Sequence, residues 1–155
     1  MLKHFTGTHE HKIDGKGRVS LPTEFRRVLD AVGSTGALYI VPQLYDDRAL
    51  VVFTIEAYDR LVERHANTDY ADPIAQQNME ITLMAEARQV QVDDAGRITL
   101  HQDLREMIGL EAEVCFAGAP SSFEIWQPGE RRAFMAETRA ASGGAKPFID
   151  RRGLV

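Results

Sequence analysis

Residues 12–29 read KIDGKGRVSLPTEFRRVL, and residues 92–108 read VDDAGRITLHQDLREMI. A shift of 79 positions lays the second stretch over the first: Asp14 on Asp93, Gly17 on Gly96, Arg18 on Arg97, Leu21 on Leu100 and Arg26 on Arg105. A period of that length is a whole small domain, so the chain reads as a duplication. Each copy has the same local grammar: a strand ending at the Asp, a turn around the Gly, a second strand (18–21; 97–100) and a short amphipathic helix. Asp14, Gly15 and Gly17 supply the turn, because Asp can bond to the backbone that follows it and Gly accepts positive φ. Pro22 suits the first position of a helix whose Phe25, Val28, Leu29 and Val32 share one face, and Gly33 suits its end. The second copy repeats this with Leu104, Met107 and Ile108, stopping at Gly109.

The rest of each copy also recurs. Two apolar runs in 37–53, ALYIV and ALVVF, flank the breaker PQLYDDR and read as a hairpin. Strands at 112–117 and 123–126 repeat it. Thr54 is a suitable N-cap for a helix running to about residue 66 with Tyr58, Leu61, Val62 and His65 on one face. A polar break at 67–73 precedes a helix over 74–86, with Ile74, Ile81, Met84 and Ala85 expected inside. A last helix is expected over 128–140. The expected divisions are a first copy with its flanking helix at 1–76, a second copy at 77–140 and a flexible Gly- and Pro-containing tail at 141–155.

The composition, 44% hydrophobic and 26% charged, belongs to an ordinary globular chain. No apolar run approaches the roughly 20 residues that cross a bilayer, and MLKHFTGTHEHK lacks a secretory core, so a cytoplasmic location is expected. The single Cys115, between Val114 and Phe116, reads as a buried strand thiol. His4, His9 and His11 have no Cys or further His beside them, so polar strand positions explain them better than a metal site. Protonated near neutral pH, they would add positive charge to that surface. No phosphate loop, nucleophile elbow or zinc spacing is present, and no enzymatic activity, cofactor or small-molecule substrate is expected.

A net charge of −5 argues at face value against a nucleic-acid partner, because phosphate binding draws on Lys and Arg. The distribution of that charge points the other way. Residues 1–30 hold Lys3, Lys12, Lys16, Arg18, Arg26 and Arg27 against Glu10, Asp14, Glu24 and Asp30, whereas the second turn has Asp94 and Ala95 where the first has Gly15 and Lys16. If one copy touches DNA, it is the first, through Lys3, Lys16, Arg18, Arg26 and Arg27. The pairs Asp14–Arg18 and Asp93–Arg97 have two readings: a carboxylate and a guanidinium that pair to fix a turn, or an outward Arg that meets phosphate or a guanine edge.

The segment FTGTHEHKIDGKGRVSLPTEFR (residues 5–26), the two Asp-x-x-x-Arg motifs and Trp126-Gln127-Pro128 together resemble the MraZ family of bacterial DNA-binding regulators. The resemblance runs from about Leu2 to Ala136. His101 departs from it by standing where Pro would repeat Pro22. The resemblance implies an α+β fold, a pseudo-two-fold double swapped-hairpin β-barrel of the AbrB/SpoVT type with flanking helices. It also implies a nucleoid-associated ring of many subunits on double-stranded DNA, at direct repeats upstream of its own division and cell-wall operon. The rival expectation is an oligomeric scaffold or protein-interaction module that binds no DNA.

Overall fold

The computed structural model describes residues 3–34, 36–141 and 143. Each repeat contributes a strand, a short strand, a short helix, a two-stranded hairpin and a longer helix. The first has β1 (Thr8–Lys12), β2 (Arg18–Ser20), α1 (Thr23–Ala31), β3 (Ala37–Pro42), β4 (Ala49–Thr54) and α2 (Ile55–Ala66). Next come α3 (Pro73–Glu80) and a π-helical turn (Ile81–Ala85). The second repeat has β5 (Arg88–Gln91), β6 (Arg97–Thr99), α4 (Gln102–Met107), β7 (Glu113–Gly118), β8 (Ser122–Trp126) and α5 (Pro128–Ala141). Most of the tail expected to be flexible lies outside the described residues.

The strand order is β1-β7-β8-β4-β3-β5 in one antiparallel sheet, with β2 and β6 forming a separate two-stranded ribbon. That order is a palindrome under exchange of the repeats. The exchange is a swap: β1 of the first repeat pairs with β7 of the second, and β5 of the second pairs with β3 of the first. Residues on the pseudo-two-fold face their own counterparts, Val19 opposite Ile98 in the ribbon and Val51 opposite Glu124 at the centre of the sheet. The wrap is not one continuous hydrogen-bonded cylinder; an isolated bridge between Ile13 and Val19 joins sheet and ribbon.

One core fills the space between sheet, ribbon and the two short helices. Phe25, Val28 and Leu29 of α1 meet Leu104 and Ile108 from the α4 region, together with Val19, Ile98, Leu38, Leu50, Phe116, Phe123 and Ile125. The rings of Phe5, Phe25, Phe116 and Phe123 pack at 4.9–6.3 Å. Because this core draws on both repeats, neither repeat has apolar cover of its own. The outer face of the sheet carries α2, whose Tyr58 packs on Val41 and Val51, and α5 over Ala49, Cys115 and Trp126. Cys115 is buried there, and burial pushes its thiol pKa up.

Thr54 caps α2 by accepting from the Ala57 N–H at 3.1 Å. The helix expected over 74–86 differs in detail. It passes into the π turn at Ile81, and the extra residue in that turn rotates the inner face. Leu83 is fully buried, whereas Ile74, Ile81 and Met84 are 66%, 43% and 55% exposed. No residue of α3 is buried; Asp72 caps it at the Ile74 N–H, and the Tyr58 hydroxyl donates to the Leu83 carbonyl just beyond it.

Candidate nucleic-acid interface

The two turns are built identically. Asp14 Oδ1 accepts from the N–H groups of Lys16 and Arg18, both at 2.9 Å, and Asp14 Oδ2 accepts from Arg18 Nε at 2.7 Å. Asp93 repeats this with Ala95, Arg97 and Arg97 Nε at 3.0, 2.9 and 3.0 Å. These donors favour the ionised carboxylates: the Arg18 N–H and guanidinium hold Asp14 at about 2, and the Arg97 groups lower Asp93 in the same direction. The paired reading of both motifs is therefore realised. It does not consume the arginines, because only Nε is engaged, and among the described residues the Nη atoms of Arg18 and Arg97 have no partner. Their side chains are 37% and 36% exposed.

Strand alternation decides where they point. Val19 and Ile98 are buried, so their neighbours Arg18, Ser20, Arg97 and Thr99 stand on the opposite, outer face of the ribbon. The register sets Arg18 beside Thr99 and Arg97 beside Ser20, which puts the two arginines on a diagonal. Lys16 is exposed at the first turn, where the second has Ala95 beside Asp94.

The structure does not gather all five basic residues around the first turn. Lys3 precedes β1, and a five-residue strand spans about 16 Å; Lys3 lines a hollow with His4, Glu56 and Arg60 instead. Arg26 and Arg27 line a cleft of about 370 Å³ whose other wall is the second turn, with Asp93, Asp94 and Gly96. Arg26 is half-buried against Gly96, and Arg105 of α4 lies correspondingly against Gly17. Each helix arginine thus serves the opposite repeat's turn. Spacing within one copy gave no sign of this, because the partners lie 70 and 88 residues away in the chain.

The histidines secure the junction of β1 with its surroundings. His9 Nε2 lies 3.0 Å from the Glu24 carboxylate and its ring stands edge-on to Phe25; His11 stands edge-on to Phe116; and His4 Nδ1 donates to the Pro120 carbonyl. No group of His, Cys, Asp or Glu among the described residues has metal-binding geometry. One buried polar residue carries no signal in the sequence. Glu124 accepts from Gln43, Tyr45, Trp126 Nε1 and Arg131 and ties the β3–β4 loop to α5.

A duplicated, strand-swapped α+β unit presenting an arginine-bearing β-ribbon is the class that this fold and surface define. Residues 4–36 and 83–147 match the family described as "MraZ protein, putative antitoxin-like". A protein of Parvibaculum lavamentivorans named transcriptional regulator MraZ is 33% identical over 96% of this chain and 91% of its own length. Namesakes from Thermomicrobium roseum and Ruegeria pomeroyi are 35% and 34% identical, over 90% and 83% of this chain and 92% and 80% of their own lengths. The chain belongs to the MraZ family.

Proposed function

We propose that the chain is a sequence-specific, DNA-binding transcriptional regulator that acts as a ring-shaped homo-oligomer. Its targets in this reading are repeated sites in double-stranded DNA upstream of its own division and cell-wall operon, placing it in the cytoplasm at the nucleoid. The observation that carries the reading is the β2–β6 ribbon with Arg18, Ser20, Arg97 and Thr99 on its outer face and Lys16 at its flank. The major groove admits a two-stranded ribbon, and an arginine braced at Nε has its two Nη donors free for O6 and N7 of guanine. Bracing by Asp14 removes part of the entropy cost of holding that fork still. Lys3, Lys16 and Arg27 would contact phosphates and set register, and Arg26 would support them from the cleft.

A single ribbon reads only a few base pairs, so useful affinity needs several subunits on repeated sites. The exposed Ile74, Ile81 and Met84 favour self-association, since an apolar stripe of that kind gains by being covered. Among the described residues no helix is long and apolar enough to cross a membrane, and the reading includes neither a membrane nor a small-molecule partner. Arg18→Ala should weaken binding to the upstream duplex by on the order of 1–3 kcal/mol per subunit while the assembly keeps its size. Unchanged affinity with a lowered melting temperature would leave Arg18 only its structural pairing with Asp14, and no binding by the unaltered protein would leave the scaffold reading.

A further inference from the structure

The geometry points to Arg105, in the second repeat, as the positioning residue for the first repeat's turn, so that the ribbon's DNA-facing end is set from the opposite half of the chain. In its DNA consequence this rests on the reading above. Arg105 lies directly over the turn: a Cβ built on Gly17 would stand 3.1 Å from Arg105 Nε and 3.3 Å from its Cζ. The guanidinium is held there by a hydrogen bond, Nε donating to the Leu100 carbonyl at 2.9 Å. Leu100 in turn donates its own N–H to the Gly17 carbonyl at 2.8 Å. Turn, strand end and helix arginine are therefore connected through Leu100, next to Lys16 and Arg18.

The counterpart is not equivalent. Arg26 packs on Gly96, with Nη1 2.5 Å from where a Cβ would stand, and Leu21 donates to the Gly96 carbonyl at 3.0 Å. Yet Arg26 Nε is buried without a hydrogen-bond partner among the described residues, and Nη2 reaches only Thr23 Oγ1 at 3.2 Å. The anchored arginine stands over the basic turn, and the loosely held one stands over the acidic turn.

Hydrogen exchange and DNA titration on the full chain test this with Arg105→Met, which keeps the stem and removes the guanidinium, and with Arg26→Met as the reciprocal variant. Arg105→Met should speed exchange in peptides covering residues 14–18 and leave those covering 93–97 unchanged; Arg26→Met should leave 14–18 unchanged and speed 93–97, by less than Arg105→Met speeds 14–18, because Arg26 is the more loosely held. A general loss of stability would accelerate both turns together, so equal acceleration, or none at 14–18, overturns the assignment. Arg105→Met should also weaken binding to a duplex carrying the sequence upstream of the chain's own gene roughly tenfold. Lys should not restore it, because an ammonium lacks the planar fork anchored at Leu100. Wild-type affinity in Arg105→Met, or full rescue by Arg105→Lys, overturns the positioning role. If the unaltered protein fails to bind DNA at any salt concentration, the regulator reading falls, and the crossed exchange pattern alone decides whether Arg105 holds the turn. Should Arg105→Met not fold, Arg105→Lys is run in the exchange arm with the same two outcomes.

Discussion

Gly17→Ala should destabilise the fold more than the same change at its counterpart Gly96. Both glycines have positive φ, +82° and +77°, so either substitution places an L side chain in the left-handed region at a cost of roughly 1–2 kcal/mol. Their surroundings differ. At Gly17 the new Cβ would stand 2.4 Å from the Leu100 carbonyl oxygen, a backbone atom in a paired strand end that cannot step aside. Relief requires the turn to move off β6, and the bond from the Leu100 N–H to Gly17 goes with it, a further 0.5–1.5 kcal/mol or so. At Gly96 the three atoms nearest the Cβ would all belong to the Arg26 side chain, whose Nε already lacks a partner and which can give way more readily than backbone. The total is about 1.5–3.5 kcal/mol at Gly17 against about 1–2 kcal/mol at Gly96. For a chain of this size that corresponds to a drop in Tm of roughly 3–14 °C against roughly 2–8 °C. Gly15→Ala is the control, since Gly15 has no positive φ and nothing within 4 Å of a Cβ. Thermal melts of the three variants at one protein concentration decide the matter. A Gly96→Ala melt as low as that of Gly17→Ala, or lower, refutes the reasoning.

Expressed separately, residues 1–76 and 77–155 should fail to melt cooperatively, because β1 then lacks β7 and β5 lacks β3; two well-folded monomeric halves would contradict the shared core. Asp14 is held at about 2, below its ordinary 3.8, so its contribution is present above pH 4 and is lost as the pH falls towards 2. Asp14→Asn should accordingly show a smaller loss of Tm between pH 6 and pH 2.5 than the unaltered chain, and an unchanged loss would argue against the turn carboxylate. Ile74→Glu combined with Met84→Glu should shift sedimentation towards smaller species with little change in helix content, since both side chains are exposed in the single chain. Sedimentation identical to the unaltered protein would assign the self-association surface elsewhere.

The duplication was legible because it lies in residue identities. Gly17 and Gly96 mark the same turn, and the Asp-x-x-x-Arg spacing fixes the same set of hydrogen bonds in both. The helix faces of 23–31 and 55–66 followed from spacing alone, because α1 and α2 are regular. Over 74–86 that rule failed, since it assumes 3.6 residues per turn and the π turn at 81–85 uses more, exchanging Leu83 for Ile81 and Met84. The site was half legible: Asp14, Lys16 and Arg18 are neighbours in sequence, and their geometry is local. Arg26 read as a surface residue beside Arg18, whereas the swap carries it to Gly96. Glu124 was equally hidden, because its partners Gln43, Tyr45 and Arg131 converge only once β4 and β8 pair.

The central register has an evolutionary consequence. A dimer of identical half-length chains would set every residue on its axis against itself, so an acidic side chain at the position of Glu124 would meet a second copy across the same strand pair, two buried like charges side by side. In one polypeptide that position can hold valine on one side and a carboxylate on the other. The same covalent link lets the two turns mutate independently, so one can gain a lysine while its twin acquires an aspartate.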